Sequence, residues 1–229
     1  RQDKYIGDCI MALWSAPLED NHHAANACAA ALKMLDALTV FNDRQKTIAE
    51  QEQRKFVEVQ IGIGINSGIC CVGNMGSDLR FDYSVLGDSV NLASRLEGQS
   101  KAYGVNIIIS EYTLASIHTL QPYEQFAVLE LDVIKVKGKL QPVRIYTVLG
   151  GNKIAHSEEF LKLSKLHHEM MRCYYAQQWQ QVILLSERCR TFSHFGLSHF
   201  YHLYQQRAES FLSTPPDSAW DGVYVATSK

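Results

Sequence analysis

The sequence predicts an α+β domain followed by a helical tail. Two observations lead to this prediction. Over residues 1–150, short runs of alternating or β-branched apolar residues are interrupted by segments with helical periodicity. Over residues 156–213 the strand pattern is missing, and apolar residues recur at helical spacing on three successive faces. With 229 residues, of which 46% are hydrophobic, the chain can bury a sizeable core, which excludes an intrinsically disordered protein.

The first elements are predicted to be a hairpin and a helix. Apolar residues flank the Gly7-Asp8 pair on both sides, which is typical of two short strands joined by a tight turn. Residues 24–41 then place alanines and larger apolar side chains at helical spacing. The polar residues 43–55 are expected to end this helix and to continue as a loop.

The middle of the domain is predicted to hold a second hairpin and a second helix. Residues 57–65 alternate β-branched with small or polar side chains, and residues 69–73 are expected to return beside them as the partner strand. Residues 74–84 are interpreted as a polar excursion. A helix is expected from about residue 89 to residue 103, where Gly104 would stop it.

Three more apolar runs are predicted as strands, and the tail follows them. Hairpins separated by single helices favour a sheet with helices on one face. We expect the α+β domain to span residues 1–152, and residues 153–229 to form a helical extension with a terminal arm. Two tail helices joined near residue 176 resemble a tetratricopeptide hairpin, although the repeats are too few for a solenoid. The three strands are expected at 105–109, 126–133 and 142–149.

Composition excludes several classes of protein. A net charge of −2 without a basic block argues against a protein that coats nucleic acid. No apolar run approaches the ~18–20 residues that span a bilayer. Six irregularly spaced cysteines indicate reduced thiols in a cytosolic compartment. The sequence lacks zinc-ligand spacing and a GxSxG elbow, and its glycine-rich segment 62–68 does not precede a helix as a dinucleotide fingerprint would.

Three segments carry candidates for anion or metal chemistry. Asn91 and Arg95 are four residues apart near a predicted helix start, where an amide and a guanidinium suit a phosphate, although an exposed Arg–Glu helix has the same pattern. Asp8 puts a carboxylate at a hairpin tip, where aspartate is also an ordinary turn residue. Lysines alternate around Gly138, which fits either a charged turn or a phosphate clamp.

Five segments of the first 150 residues form a recognisable series. In chain order they are Lys4-Tyr5-Ile6-Gly7-Asp8-Cys9-Ile10-Met11-Ala12, Ile61-Gly62-Ile63-Gly64-Ile65-Asn66-Ser67-Gly68, Val72-Gly73-Asn74-Met75-Gly76-Ser77, Tyr83-Ser84-Val85-Leu86-Gly87-Asp88-Ser89-Val90-Asn91-Leu92-Ala93-Ser94-Arg95-Leu96-Glu97 and Val136-Lys137-Gly138-Lys139. In this order they resemble class III nucleotidyl cyclases, the adenylate/guanylate cyclase catalytic domain. The resemblance implies a ferredoxin-like, antiparallel-rich sheet. The end of the tail, from Trp220 to Val223, is similar to the extension of bacterial adenylate cyclases that carry a membrane-anchored CHASE2 sensor.

The resemblance implies a two-metal reaction. The 3′-hydroxyl of a nucleoside triphosphate attacks its own α-phosphate, and pyrophosphate leaves. Two Mg²⁺ or Mn²⁺ ions per site are implied, held by two aspartates. Asp8 matches the second aspartate. The first belongs to a strand expected upstream of Arg1, so the chain is expected to be an N-terminally truncated piece with little or no activity alone.

The same resemblance implies roles for the other site residues. Asn91 matches the residue that orients the ribose, and Arg95 matches the arginine that stabilises the transition state. Lys137 matches the lysine that holds the triphosphate, although Lys139 is close enough to leave this choice open. The base is read by Lys4, at a position where adenylate cyclases carry Lys and guanylate cyclases carry Glu, and by Ser84-Val85. Ser84 departs from the usual Asp or Thr, but its hydroxyl can accept from the adenine amine.

These matches lead to the hypothesis of an adenylate cyclase that makes cyclic AMP from ATP. The family builds its site between two protomers, so a homodimer is expected, with Lys4 and Asp8 serving different sites. The alternatives are a guanylate cyclase, which Lys4 disfavours, and an inactive cyclase-like module for dimerisation or regulation, which the retention of five site residues disfavours. We expect a cytoplasmic catalytic region, no nucleic-acid partner, and membrane attachment only through an upstream region.

Overall fold

The computed structural model describes residues 2–77, 80–119, 125–135, 141–217 and 220–225. Side chains of residues 2–6, 75–77, 80–82 and 224–225 are outside this description. The strands are β1 (Gln2–Ile6), β2 (Cys9–Ala12), β3 (Ile63–Ile65), β4 (Cys71–Ser77), β5 (Arg80–Leu86), β6 (Ile107–Ser110), β7 (Ala127–Lys135), β8 (Val143–Gly150) and β9 (Tyr224–Val225). The helices are α1 (His23–Gln51), α2 (Asp88–Tyr103), α3 (Glu111–His118), α4 (Asn152–Ala155), α5 (Glu158–Tyr175), α6 (Trp179–Arg190) and α7 (Ser198–Ser213), with a 3₁₀ turn at Ser193–Phe195.

The main sheet is mixed, with the strand order β3-β6-β8-β7-β9. β8 runs antiparallel to both β6 and β7, whereas β3 is parallel to β6 and β9 is parallel to β7. Two antiparallel hairpins, β1–β2 and β4–β5, pair outside this sheet, and β1 runs close to β5. Antiparallel pairing therefore predominates in the described residues, as the fold prediction requires.

Helices cover both faces of the main sheet. On one face Ile107, Ile109 and Val148 pack against α3 and the alanine-rich side of α1. On the other face Ile108 and Ile145 pack against α2 and the tail helices. The expectation of helices on one face was wrong, because β6 and β8 carry apolar side chains on both sides and each side must be covered.

The tail forms three main helices that share a continuous core with the sheet. Buried residues of α5, α6 and α7 join those of α2, β6, β7 and β8 in one hydrophobic cluster. Aromatic rings from the helices and from Trp220 pack edge to face, with the Tyr174 and Tyr204 ring centroids 4.7 Å apart. The prediction of a helical tail is confirmed. The boundary near residue 152 and the tetratricopeptide-like hairpin stay predictions.

Several predicted elements differ from the structure. The first helix extends to Gln51, because Ala49 is buried on the same helix while its polar neighbours face solvent. The strand predicted at 57–65 is confined to Ile63–Ile65, and its partner is β6 rather than residues 69–73. Those residues lead into β4, and the predicted polar excursion forms most of the β4–β5 hairpin. Local alternation of side chains cannot reveal a parallel partner that is more than 40 residues away in the sequence.

Helix α1 has the length and apolar composition of a helix that could cross a membrane, and it is the one such helix among the described residues. Its buried side chains, Ala24, Ala25, Cys28 and Ala31, pack in the cluster beneath the sheet. This packing is that of a core helix, which satisfies the same length and composition test.

Candidate active site

Helix α2 carries Asn91 and Arg95 in its first two turns. The helix begins at Asp88, as the sequence predicted to within one residue, and ends at Gly104, which adopts the left-handed conformation with φ of 66°. Asn91 is exposed and Arg95 is partly exposed. Ala93 and Glu97 face the sheet, so Asn91 and Arg95 lie on the opposite side of the helix, where a ligand can reach both.

Close packing on β3 fixes the position of α2. A Cβ atom at Gly64 would collide with the carbonyl oxygen of Ala93 and lie 3.0 Å from the Cα of Glu97. A Cβ at Gly62 would lie 3.0 Å from the Cβ of Ser100. The two glycines are two residues apart and therefore face the same side, so no side chain at either position holds α2 away from β3. The sequence indicated that these glycines do not form a dinucleotide fingerprint and placed them in a segment that resembles the family, but their role in positioning α2 was not predicted.

Asn66 ties the start of α2 to the sheet. Its Nδ2 donates to the carbonyl oxygen of Ser89 at 2.9 Å, and its Oδ1 accepts from the Ser110 hydroxyl at 2.6 Å. The Ser89 hydroxyl donates in turn to the carbonyl oxygen of Ile69 at 3.1 Å. The sequence predicted no such role for Asn66, which was expected only as part of a matching segment. A polar residue directly after a strand is the signal that could have found it.

The β1–β2 hairpin carries Lys4 and Asp8. Ile6 pairs with Cys9, so Gly7 and Asp8 form the two-residue turn, and Gly7 supports it with φ of 63°. Asp8 is exposed at the tip. Lys4 pairs with Met11 in the ladder, and its side chain lies outside the described part of the molecule.

Ser84 and Val85 lie near the end of β5 and are buried, with 4% and 6% of their surface exposed. They pair with Gly73 and Val72 of β4. Strand β5 connects these two residues to α2 through Gly87, and it runs close to β1. The backbone therefore brings together the strands of Lys4 and Ser84, the two residues expected to read the base.

The structure describes only some of the remaining residues expected to bind the triphosphate and the metal ions. Lys137 and Lys139 fall outside the described residues. Within the described ranges, strand β1 of the Asp8 hairpin runs close to β5, and neither strand of the hairpin makes an extensive contact with α2, the helix of Asn91 and Arg95. Searched over those ranges, no group of three or more His, Cys, Asp or Glu side chains could hold a metal ion. Among the site residues expected from the sequence, Asp8 is the one with a carboxylate, the hard oxygen ligand that Mg²⁺ and Mn²⁺ prefer.

The model of the adenylate and guanylate cyclase catalytic domain matches residues 2–150, about two thirds of the chain. The chain belongs to this family. The match extends from β1 to the end of β8 and leaves α5–α7 outside it. It therefore includes every candidate site residue, from Lys4 on β1 to Lys137 between β7 and β8.

Two curated relatives that are similar to this chain are adenylate cyclases. An adenylate cyclase of Anabaena cylindrica is 40% identical over 64% of this chain and 27% of its own length. Adenylate cyclase 1 of Rhizobium meliloti is 33% identical over 68% of this chain and 22% of its own length. The chain thus spans about a quarter of the length of these relatives.

Two solved cyclases share the fold. The adenylyl cyclase CyaB of P. aeruginosa superposes with a TM-score of 0.50 at 31% identity, over 66% of this chain and 72% of that chain. The guanylyl cyclase Cya2 superposes with a TM-score of 0.52 at 29% identity, over 67% of this chain and 71% of that chain. One of these two neighbours is named an adenylyl cyclase and the other a guanylyl cyclase. The shared fold therefore does not distinguish adenine from guanine as the base of the substrate.

Proposed function

We propose that the full-length protein is an adenylate cyclase that converts ATP to 3′,5′-cyclic AMP and pyrophosphate. The observation that carries this proposal is the placement of Asn91 and Arg95 on the free face of α2, whose start is fixed by Asn66 and Gly64. The family supplies the reaction, and the amide of Asn91 and the guanidinium of Arg95 are the residue types that the reaction is expected to need.

The triphosphate would be bound at the start of α2. The N-terminal end of a helix has a partial positive charge, and Arg95 adds a full one. As the bond to pyrophosphate breaks, negative charge grows on the phosphate oxygens, and a guanidinium held nearby stabilises that charge more than it stabilises the ground state. Asn91, one turn earlier, has an amide that can hold the ribose in the geometry for attack.

The base would be read where β1 runs close to β5. The ammonium of Lys4 can donate to N1 of adenine, which is an acceptor, whereas N1 of guanine carries a proton. The Ser84 hydroxyl can accept from the N6 amine. The relatives named as adenylate cyclases favour the same base.

Two divalent metal ions, Mg²⁺ or Mn²⁺, are proposed as cofactors, with Asp8 as one ligand. When bound, such ions lower the pKa of the attacking hydroxyl and neutralise charge on the phosphates. Asp8 fits this role because it is exposed at the tip of a two-residue turn. A single carboxylate does not make a site, so further ligands must come from elsewhere in the protein.

Among the described residues the Asp8 hairpin makes no extensive contact with α2, which supports a homodimer with shared sites. One protomer would supply Asp8, and its partner would supply Asn91, Arg95 and the base-reading residues. The catalytic region is proposed to act in the cytoplasm.

A base-exchange experiment tests the substrate. In the full-length protein, Lys4→Glu combined with Ser84→Cys should lower the ratio of ATP to GTP turnover by at least about tenfold, because the new carboxylate accepts from guanine and the donor to adenine N1 is lost. Lys33→Glu makes the same charge change on the exposed side of α1 and should leave the ratio unchanged.

Three results would contradict the proposal. A wild-type preference for GTP would indicate a guanylate cyclase. An unchanged ratio in the double variant would remove Lys4 and Ser84 from base reading. No cyclic nucleotide from either substrate, with Mg²⁺ or Mn²⁺ present, would indicate an inactive cyclase-like module.

A further inference from the structure

One buried carboxylate joins the sheet, α2 and the tail. Asp132 of β7 is fully buried. Its Oδ2 accepts from the Tyr103 hydroxyl of α2 at 2.8 Å and from the Arg207 guanidinium of α7 at 2.7 Å. Its Oδ1 accepts from the backbone N–H of Val133 at 2.8 Å. Three elements that are distant in sequence therefore meet at a single side chain.

The charges in this cluster are compensated. The Arg207 side chain is 12% exposed and its guanidinium lies 5.1 Å from the Tyr204 ring centroid and 5.9 Å from that of Tyr103. Burial opposes its charge, but Asp132 raises the pKa of Arg207, so the guanidinium stays protonated. Burial and the neighbouring carboxylate raise the pKa of the Tyr103 hydroxyl, so the hydroxyl stays protonated and donates a hydrogen bond to Asp132.

The tail holds the end of α2 at a second point. The Nε2 atom of His199 lies 3.1 Å from the carbonyl oxygen of Ala102. The Cβ of His199 also packs on Gly104, where an added Cβ would lie 2.6 Å away. α7 thus contacts three consecutive residues, 102–104, at the C-terminal end of the helix whose other end bears Asn91 and Arg95.

A helix is stiff enough to transmit this anchoring. Arg95 precedes Tyr103 by two turns, or about 12 Å along the axis. A tilt of about 5° at the tail end would therefore move Arg95 by about 1 Å, and displacements of that size can lower rates by up to about 10²-fold. The Asn66 contacts hold the other end, so the helix orientation depends on both attachments.

We infer that Tyr103, Asp132 and Arg207 are positioning residues for the cyclisation reaction, and that through them the helical tail orients Asn91 and Arg95. The inference rests on the proposed function. According to this inference, the tail helices, which follow the family match that ends at residue 150, contribute to catalysis by positioning α2.

A single oxygen deletion tests this inference. Tyr103→Phe in the full-length protein removes the link between α2 and Asp132 and leaves the ion pair of Asp132 with Arg207 intact. The matched control is Tyr201→Phe. Tyr201 is equally buried, and its hydroxyl bonds to Nδ1 of His167 at 3.0 Å, which links α7 to α5. Steady-state kinetics with ATP, thermal unfolding and amide hydrogen exchange are measured for both variants.

We expect Tyr103→Phe to lower kcat by roughly tenfold with little change in KM, since Arg95 acts in the transition state. Amide exchange over residues 88–95 should become faster in this variant only. Tyr201→Phe should lose similar thermal stability and keep the wild-type kcat. Arg207→Lys should retain more activity than Arg207→Leu, because it preserves the charge beside Asp132.

Equal kcat values for Tyr103→Phe and Tyr201→Phe would overturn the inference and leave the proposed function standing. A wild-type protein that forms no cyclic nucleotide would overturn the proposed function. In that case faster exchange over residues 88–95 in Tyr103→Phe alone would still support the positioning contact, and unchanged exchange would refute it.

Discussion

Gly64 of β3 lies directly against the backbone of Ala93 in α2, so closely that any side chain at position 64 would collide with the Ala93 carbonyl oxygen. This contact places the helix of Asn91 and Arg95 at a fixed height above the sheet. The chemistry proposed for the protein therefore depends on a residue that has no functional group of its own.

Adding one methyl group at Gly64 tests the importance of that contact. Gly64→Ala should destabilise the protein by about 1–3 kcal/mol and reduce cyclase activity, because α2 must move away from β3. The matched control is Gly98→Ala, which adds the same methyl group on α2 itself. A Cβ there meets nothing within 4 Å, so this variant should be stabilised by up to about 1 kcal/mol. Denaturant unfolding and product formation measure both effects, and a Gly64→Ala variant as stable and active as the wild type would refute the packing argument.

Asn66 gives a second prediction at the start of α2. Asn66→Ala removes both the donor to Ser89 and the acceptor for Ser110, which should cost about 2 kcal/mol of unfolding free energy and lower kcat. Ser67→Ala changes the adjacent residue, whose side chain has no hydrogen bond in the described structure, and should stay within about 0.5 kcal/mol of the wild type. If the two variants are equally stable in urea unfolding, Asn66 does not tie the helix to the sheet.

His167 predicts an acid sensitivity of the tail. The ring is fully buried in α5, where its Nε2–H donates to the Glu130 carbonyl oxygen at 2.7 Å and its Nδ1 accepts from Tyr201. Burial lowers the pKa of His167 to about 3. The unfolded chain, with an ordinary histidine pKa near 6.5, therefore binds one more proton than the folded chain between these values, and stability falls as the pH drops below about 6.5.

The size of that effect can be isolated by substitution. Between pH 7.5 and pH 5 the wild type should lose about 2 kcal/mol more unfolding free energy than His167→Gln, which cannot take up a proton. His168→Gln alters the exposed neighbour and should keep the wild-type pH dependence. Urea unfolding at several pH values provides the comparison. Parallel curves for the wild type and His167→Gln would show that the ring is not buried in its neutral form.

The sequence predicted the elements whose signals are local. Helix α2 and its stop at Gly104, strands β7 and β8, and the helical tail were expected close to their observed bounds. Helix α3 was not expected. The parallel pairing of β3 with β6 was also missed, because both strands are short and their partners are set by the helix that packs above them.

The site residues expected from the motifs stay predictions, and the arrangement of the elements that carry them could not be predicted. Motif order pointed to Asp8, Asn91 and Arg95, and the structure places the last two on one face of α2. The contacts that hold this helix, from Gly64 and Asp132, could not be inferred, since small residues in strands and acidic residues in apolar strands occur in many different packing environments. Each acquires a role only when the partner element is known.

The central claim is that a protomer of this protein supplies Asp8 to one site and Arg95 to another. Asp8→Asn and Arg95→Ala should each abolish most cyclic AMP formation by the full-length protein. When the two inactive variants are mixed so that subunits exchange, half of the dimers are mixed and each has one intact site, so activity should return to about a quarter of the wild-type value. Mixtures that stay as inactive as the separate variants would contradict the shared site.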